Sequence, residues 1–291
     1  MKSIERRLPQ AIDRSFIVFR EVGQYFPDPW HYHPEYELVL VKKSTGRRMV
    51  GDHIGFFDEG DLVFMAPMLP HVWVNDPQFV NGEAGYQADA IVVQFIESFL
   101  GEKFMQIPEM EAFKDFLRIA DRGMVITGNA RNQIIHLMEE MLNLNGMQRL
   151  AALFSIFDIL AGTTEYELLA SPVFTQDTHF KSSEHFRKIN EYIMQNFHND
   201  ISLNEIASVA NMAITTFCNF FKSHYRVTFV EYLNTVKIGH ACKLLSQNEM
   251  NIVEVAYECG FNNLANFKKQ FKNFKNMTPS EYKKTLIAYP L

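Results

Sequence analysis

Cysteine is scarce and scattered in this 291-residue chain. The three cysteines, Cys218, Cys242 and Cys259, form no C-x-x-C pair and are odd in number. The sequence therefore offers neither a disulfide framework nor a zinc ribbon. No apolar run approaches the ~18 residues that a membrane helix needs. No apolar segment follows the charges at residues 1–7, so secretion is not expected. These absences favour a protein of the reducing cytoplasm without a membrane partner.

Motifs of nucleotide-using and serine-hydrolysing enzymes are also missing. The chain contains no G-x-x-x-x-G-K-[ST], no G-x-G-x-x-G and no G-x-S-x-G. The composition is that of a folded protein, with 47% hydrophobic and 21% charged residues and 26 Phe. Nucleotide hydrolysis and serine hydrolysis therefore have no support in the sequence, and we expect a globular protein that is not an enzyme.

Charge is divided unevenly along the chain. The formal net charge is −6, but the residues from Lys181 onward contain 13 Lys and Arg against 9 Asp and Glu. The preceding residues contain 15 against 25. An acidic front and a basic tail suggest two separate roles, and a polyanion is a candidate partner for the tail. A lysine-rich solvated helix face is the simpler alternative.

The period of the apolar residues changes twice along the chain. Short apolar runs at 16–19, 38–41, 62–65 and 90–93, separated by turn residues, predict antiparallel strands in a small barrel or sandwich. Between 109 and 170 the spacing becomes helical and predicts two amphipathic helices that break at Asn145-Gly146. A polar stretch at 171–182 is the predicted linker, and everything from Ser183 onward is predicted to be helical.

The helical tail contains an internal repeat. Phe217 and Phe267 are 50 positions apart, as are Phe221 and Phe271, and four further pairs repeat at the same distance. Each copy reads as helix, tight turn and helix, with capping boxes predicted at Ser202, Thr228 and Thr278. This pattern predicts a tandem helix-turn-helix.

Several tail motifs resemble the DNA-binding domain of the AraC/XylS transcriptional regulators. The motifs are Ile206-Ala207, Phe221-Lys222, Thr228 to Asn234, Ala256 to Phe261 and Met277 to Tyr282, and they cover roughly the last hundred residues. The resemblance implies two helix-turn-helix units joined by a long helix, here at about 229–245. Their second helices would enter successive major grooves of duplex DNA.

The side chains expected to meet DNA lie on the second helix of each unit. With the phenylalanines inward, the first such helix leaves Ile214, Thr215, Cys218 and Asn219 outward, and the second leaves Leu264, Ala265, Lys268 and Lys269 outward. Asn219 stands where the family often has Arg. Asn pairs with adenine whereas Arg prefers guanine, so we expect this contact to favour adenine. Ala213 stands where a capping Ser is frequent. The predicted DNA-binding residues are Thr215, Cys218, Asn219, Asn263, Leu264, Ala265, Lys268, Lys269 and Lys272.

The front half contains a group of residues typical of metal ligands. On one continuous strand His31, His33 and Glu37 would face the same side, although Pro34 is able to bulge that strand. Together with His71 these residues resemble the two-motif signature of cupin barrels. The resemblance implies a divalent iron, nickel, manganese or zinc ion, although the second motif departs at Leu69 and is one residue short. A pocket for an organic effector without any metal remains the alternative.

These features predict an α+β protein with two domains. Residues 1–170 form a cupin-like antiparallel β-barrel with trailing helices, which senses an effector and dimerises. Residues 171–182 form the linker, and residues 183–291 form the all-α DNA-binding domain. The predicted function is effector-controlled regulation of transcription, with duplex DNA, a small-molecule effector and a second copy of the chain as partners, and RNA polymerase as a further candidate. The alternative is a metal-dependent cupin enzyme fused to a DNA-binding tail.

Overall fold

The chain folds into two compact units. The computed structural model describes residues 4–5, 15–101, 103–172, 174, 184–225 and 227–288. The N-terminal unit comprises Met1–His53 and Phe57–Lys181, and the C-terminal unit comprises Ser182–Leu291 together with Ile54–Phe56. Most of the predicted linker at 171–182 lies outside the described residues. Among the described residues, no helix is both long enough and apolar enough to cross a membrane.

Two β-sheets form the framework of the N-terminal unit. One sheet has the strand order β1-β3-β8-β5-β6 and the other has the order β11-β10-β7-β4-β9-β2. All four predicted strand runs are confirmed and lie in β2, β4, β7 and β9. The strands are β1 (Ile4–Glu5), β2 (Ile17–Gly23), β3 (His31–Tyr32), β4 (Tyr36–Lys43), β5 (Gly46–Val50), β6 (His53–Phe57), β7 (Leu62–Met65), β8 (His71–Asn75), β9 (Ala88–Phe95), β10 (Met124–Ile126) and β11 (Tyr166–Leu168).

The described strands do not form the predicted barrel. They make two separate hydrogen-bonded sheets, and β1 pairs with β3 in parallel, whereas the other pairings described are antiparallel. Apolar spacing identifies strands but does not determine which edge strands pair with each other, so the sequence did not distinguish these two arrangements.

Helices cover the outer face of the six-stranded sheet. The helices of this unit are α1 (Pro77–Val80), α2 (Glu111–Ile119), α3 (Gly128–Met141) and α4 (Gly146–Gly162). The two predicted helices and their break before Gly146 are confirmed as α3 and α4, whereas α2, β10 and β11 were not predicted. Ile134 of α3 and Phe157 of α4 are buried in one core with Leu38 and Leu40 of β4. Because both of its faces are covered, β4 is buried along most of its length.

The described part of the C-terminal unit is helical, as the sequence predicts. The long connecting helix is α8, which is 19 residues long. The helices are α5 (Glu184–Asn196), α6 (Leu203–Val209), α7 (Ile214–Tyr225), α8 (Phe229–Gln247), α9 (Ile252–Glu258), α10 (Leu264–Lys275) and α11 (Pro279–Ala288).

Capping residues set where these helices begin. At α6 and α8 the predicted capping boxes are confirmed, since the Ser202 and Thr228 hydroxyls accept from the backbone N–H three residues on and the glutamate there accepts in return. The same reciprocal bonds join Thr278 and Glu281 before α11. Each box satisfies N–H groups that the first helical turn leaves without an intrahelical partner.

Candidate functional site

The two turns between paired helices in the C-terminal unit have the same geometry. Asn211, between α6 and α7, has φ of 53°, and Gly260, between α9 and α10, has φ of 73°. In the first turn Met212 N–H donates to Ala207 O at 2.9 Å, and in the second the Phe261 N–H donates to Ala256 O at 3.0 Å. The repeat seen in the sequence is therefore a repeat of backbone conformation.

The first helix that follows such a turn, α7, places its phenylalanines inward and its polar face outward. Phe217 and Phe221 have no exposed surface. Thr215 and Asn219 are exposed, and Cys218 is half-buried. Phe220, which the sequence placed inward, is also only half-buried. The outward face of α7 is thus polar and open to a partner.

The second such helix, α10, has a more basic outward face. Ala265, Lys268, Lys269 and Lys272 are exposed. Leu264, which was predicted to face outward, is half-buried and packs against the core of the second repeat. This difference arises because the first residue of the helix lies above the α9–α10 turn, where the apolar core is within reach.

Asn263 begins α10 rather than lying on its outward face. Its side-chain oxygen accepts from the N–H groups of Ala265 at 2.8 Å and Asn266 at 3.2 Å. Asn263 is therefore the N-terminal cap of α10. Ala213 lies just before α7 and has no side-chain oxygen for the same purpose. The two outward helices therefore start differently.

A second site lies in the N-terminal unit, where three buried histidines converge. His31 is paired directly with His71 across β3 and β8. One ring nitrogen from each of His31, His33 and His71 lies within 4.8 Å of the others. The sequence predicted one continuous strand through His33, but the chain bends at Pro34 and Glu35 before β4 begins. His33 and Glu37, on either side of this bend, are nevertheless in contact.

The backbone fixes the orientation of all three imidazole rings. The Nδ1 hydrogens of His31 and His71 are donated to the carbonyl oxygens of Pro29 and Leu69, both at 2.8 Å. His33 Nδ1 donates to Glu35 O at 3.2 Å. Since carbonyls only accept, each Nδ1 carries a hydrogen, so Nε2 is the nitrogen through which a neutral histidine of this cluster would bind a ligand. Metal-binding histidines commonly show this arrangement. His33 Nε2 is bonded to Glu37 and would have to give up that hydrogen bond first.

Glu37 lies beside the histidine cluster and balances its charge. Its Oε2 atom forms a short hydrogen bond with His33 Nε2, accepts from Gln94 Nε2 at 2.7 Å and lies 4.0 Å from His71 Nε2. Burial would raise the pKa of Glu37, but the hydrogen bonds from His33 and Gln94 and the charge of His33 outweigh it, and the pKa is lowered to about 2. Burial and the neighbouring His31 lower the pKa of His71 to about 3. His71 is therefore neutral, and its buried Nε2 has no hydrogen-bond partner.

A cavity of about 50 Å³ adjoins the cluster. Both sheets contribute its lining, with His31 and Trp73 on one side and Glu37, Val39 and Gln94 on the other. Trp73 is 9% exposed, and its buried Nε1–H has no acceptor. A cavity of this size holds only a few water molecules, because each needs roughly 10–15 Å³ by the same measure.

The structure thus brings the four sequence-predicted residues of the N-terminal site together and adds two more. Gln94 and Trp73 were not predicted as part of this site. Gln94 lies directly opposite Glu37 in the pairing of β4 with β9. No local pattern marks such a residue, since it becomes a neighbour only through strand pairing over 57 positions.

Comparison with known proteins gives a family for the C-terminal unit. Residues 206–285 match the family described as "Helix-turn-helix domain". An HTH-type transcriptional regulator from Staphylococcus aureus is 24% identical over 247 residues, which are 81% of this chain and 32% of that protein. The chain thus spans about a third of the length of that relative.

Two further proteins align with most of the chain. The HTH-type transcriptional activator RhaS from Mannheimia succiniciproducens is 22% identical over 263 residues, which are 90% of this chain and 91% of that protein. The crystal structure of ToxT from Vibrio cholerae is 14% identical, with a TM-score of 0.38 over 94% of this chain and 99% of that one. The family match covers the repeated helical pattern, so this part of the C-terminal unit is similar to that helix-turn-helix family.

Proposed function

We propose that this chain is an AraC-type transcriptional regulator whose N-terminal unit controls DNA binding by its C-terminal unit. The observation that carries this proposal is the repeated turn geometry, which precedes two helices with exposed outward faces. Helix-turn-helix proteins place the second helix of each unit in the major groove. Names of relatives such as RhaS agree with this function. A metal-dependent enzyme would not need such a repeated helical domain.

The DNA contacts divide into two classes. Base contacts come from Thr215, Cys218 and Asn219 on α7 and from residues at the start of α10. Lys268, Lys269 and Lys272 provide positive charge for phosphates. Asn219 is suited to adenine, with which Asn pairs through two hydrogen bonds.

A salt titration tests the DNA-binding proposal. Duplexes are first selected from a random library with the full chain, and the affinity for the selected duplex is then measured at rising salt. Each phosphate that the protein no longer neutralises reduces the slope of log K against log salt by about 0.9. Lys272→Ala should therefore flatten the slope by about this amount and weaken all duplexes alike, whereas Asn219→Ala should change base preference at one position.

Lys103→Ala is the matched control, because it removes one exposed positive charge from the N-terminal unit. It should leave the slope unchanged. A chain that selects no duplex, or whose affinity does not depend on salt, is not the regulator proposed here.

The N-terminal unit is proposed as the sensor. Its cupin-like character, its span of residues 1–170 and its effector are parts of this proposal, supported by two sheets that enclose a cavity beside buried polar groups. An effector changes DNA binding only if it binds the DNA-competent and the incompetent arrangements of the chain with different affinity.

The histidine cluster supports a divalent metal ion as one ligand of this sensor. The donor set fits, because one ring nitrogen from each of three buried histidines lies within 4.8 Å of the others, the rings are fixed through Nδ1, and buried His71 Nε2 has no hydrogen-bond partner. His31, His33 and His71 would hold the ion, with Glu37 beside them. Imidazole and carboxylate donors suit zinc, iron, nickel or manganese. The ion would supply positive charge and open positions for a further ligand.

We also propose that the chain acts as a homodimer. The apolar stripes of the two amphipathic helices α3 and α4, expected to carry the dimer interface, are partly used within the N-terminal unit, because Ile134, Met141, Leu153 and Phe157 are buried. Met147, near the start of α4, is 78% exposed. Two copies would place two C-terminal units on repeated half-sites.

A further inference from the structure

Lys237 is a buried lysine in the middle of the connecting helix α8. It is 6% exposed, and its Nζ donates to the backbone oxygens of Gly260 at 2.8 Å and Asn199 at 3.2 Å. The same ammonium lies 5.6 Å from the centre of the Phe261 ring. Burial lowers the pKa of Lys237, although the charge of Asp200 opposes this shift. A lysine is rarely buried unless its ammonium has such partners.

The two carbonyls that Lys237 joins belong to different halves of the C-terminal unit. Asn199 lies in the turn between α5 and α6, at the start of the first helix-turn-helix. Gly260 is the turn residue of the second. One side chain therefore connects the two halves. Both acceptors are backbone oxygens, so the contact does not depend on the conformation of any other side chain.

Close backbone packing at Gly260 adds a second restraint on the same joint. A Cβ atom on Gly260 would lie 2.2 Å from the carbonyl oxygen of His198. Asn211 occupies the equivalent turn of the first repeat with a similar positive φ and is exposed. A left-handed turn thus accepts Asn in this fold, so glycine at 260 is required by the approach of the 198–199 backbone.

We propose that Lys237 is a positioning residue that holds the two recognition helices, α7 and α10, at one separation and so fixes the spacing of the two DNA half-sites. This inference rests on the DNA-binding function proposed above. Two helices that enter successive major grooves must match the helical repeat of the duplex. A joint made of backbone contacts and one buried ammonium resists bending, whereas α8 alone would let the halves shift where they meet.

The test compares half-site spacing in the wild-type chain and in Lys237→Met. Methionine keeps an unbranched stem but donates no hydrogen bond to either carbonyl. Duplexes are selected from a random library with the full wild-type chain, and variants of the selected duplex are made with one base pair removed or added between the half-sites. We expect the affinity of the wild-type chain to fall at least about tenfold on either change. The affinity of Lys237→Met should fall less than about threefold.

Lys283→Met is the matched control. Lys283 Nζ donates to Met250 O at 3.0 Å, so this change also removes a lysine–carbonyl bond, but both residues lie in the second half. It should retain the wild-type discrimination between spacings. A purely structural role for Lys237 would lower the melting temperature of Lys237→Met without relaxing the spacing. Should that variant fail to fold, Lys237→Leu provides the same comparison with a shorter side chain that also donates no hydrogen bond.

The outcomes separate the two proposals. If Lys237→Met or Lys237→Leu folds and keeps the wild-type preference for one spacing, the positioning role is wrong and DNA binding stands. If the wild-type chain selects a single motif with no second half-site, the positioning role is again wrong. If the wild-type chain selects no duplex at all, the proposed DNA-binding function itself fails, and the positioning role fails with it.

Discussion

At the residue scale, the histidine cluster depends on the backbone of the short segments that carry it. Each of the three histidines donates its Nδ1 hydrogen to a carbonyl two residues away, so the rings cannot turn without breaking that bond. Buried polar atoms without a partner are rare and costly. The Nε2 atom of His71 is such an atom, and a bound ion would satisfy it.

Zinc binding should depend on His71. Titration of the wild-type chain with Zn²⁺ in a calorimeter should give one ion per chain and a higher melting temperature, since an ion that binds only the folded state stabilises it. His71→Ala should weaken this binding at least about tenfold, because one of three imidazole donors is removed. Calorimetry and thermal unfolding measure both effects.

His136→Ala is the control for this titration, because His136 is 73% exposed at its side chain and pairs with Glu140 on the same helix. It removes an imidazole without touching the cluster. Equal zinc binding by His71→Ala and His136→Ala would reject a metal site at the histidine cluster.

At the element scale, the two outward helices differ in how they begin, although they repeat the same unit. Asn263 caps α10 through two backbone N–H groups. α7 follows Ala213, which cannot do so. N-terminal caps stabilise a helix by about 1 kcal/mol, so α10 has this contribution and α7 lacks it.

Removing the cap of α10 and adding one to α7 should change the free energy of unfolding in opposite directions. Asn263→Ala should lower the free energy of unfolding by about 1 kcal/mol, because two N–H groups lose their acceptor. Ala213→Ser should raise it by up to about 1 kcal/mol, because a hydroxyl becomes available at the start of α7. Urea unfolding of each variant measures these changes, and a lower stability of Ala213→Ser would show that its backbone is unsuited to a cap.

Most elements follow from local patterns, and the exceptions have physical reasons. Capping boxes and phenylalanine spacing predicted the start of α8 and the inward faces of α7 and α10. The bend at Pro34 and Glu35 was foreseen only as an alternative, because a proline bulge and a straight strand share one apolar pattern. α2 was not predicted because the apolar spacing of the following helices determined the prediction for this region. Gln94 and Lys237 were not predicted because their partners lie far away in the sequence.

At the scale of the whole molecule, the chain combines an acidic unit with a basic one. From Lys181 onward there are 13 basic residues against 9 acidic ones, and the ratio reverses before that point. The basic excess attracts a polyanion over a distance, while the acidic unit does not compete for it. A homodimer would double this excess on one duplex and join two weak contacts into a stronger one.

The full chain should sediment as a dimer of about twice its 33.8 kDa mass at tens of micromolar, with or without DNA. Met147, near the start of α4, is 78% exposed, and Leu144 and Leu150 beside it are half-buried against the core. Met147→Glu should shift the equilibrium toward monomer, because a charge buried in an apolar interface is destabilising. Analytical ultracentrifugation measures both chains.

Val80→Glu is the control, since it places the same charge on an exposed apolar residue of the N-terminal unit that belongs to neither α3 nor α4. It should remain dimeric. A wild-type chain that stays monomeric would remove the dimer from the proposed function. A Met147→Glu chain that stays dimeric would place the interface elsewhere on the molecule. In a monomer α7 and α10 would be the only pair of recognition helices on the duplex, so the joint at Lys237 alone would set the spacing of the DNA contacts.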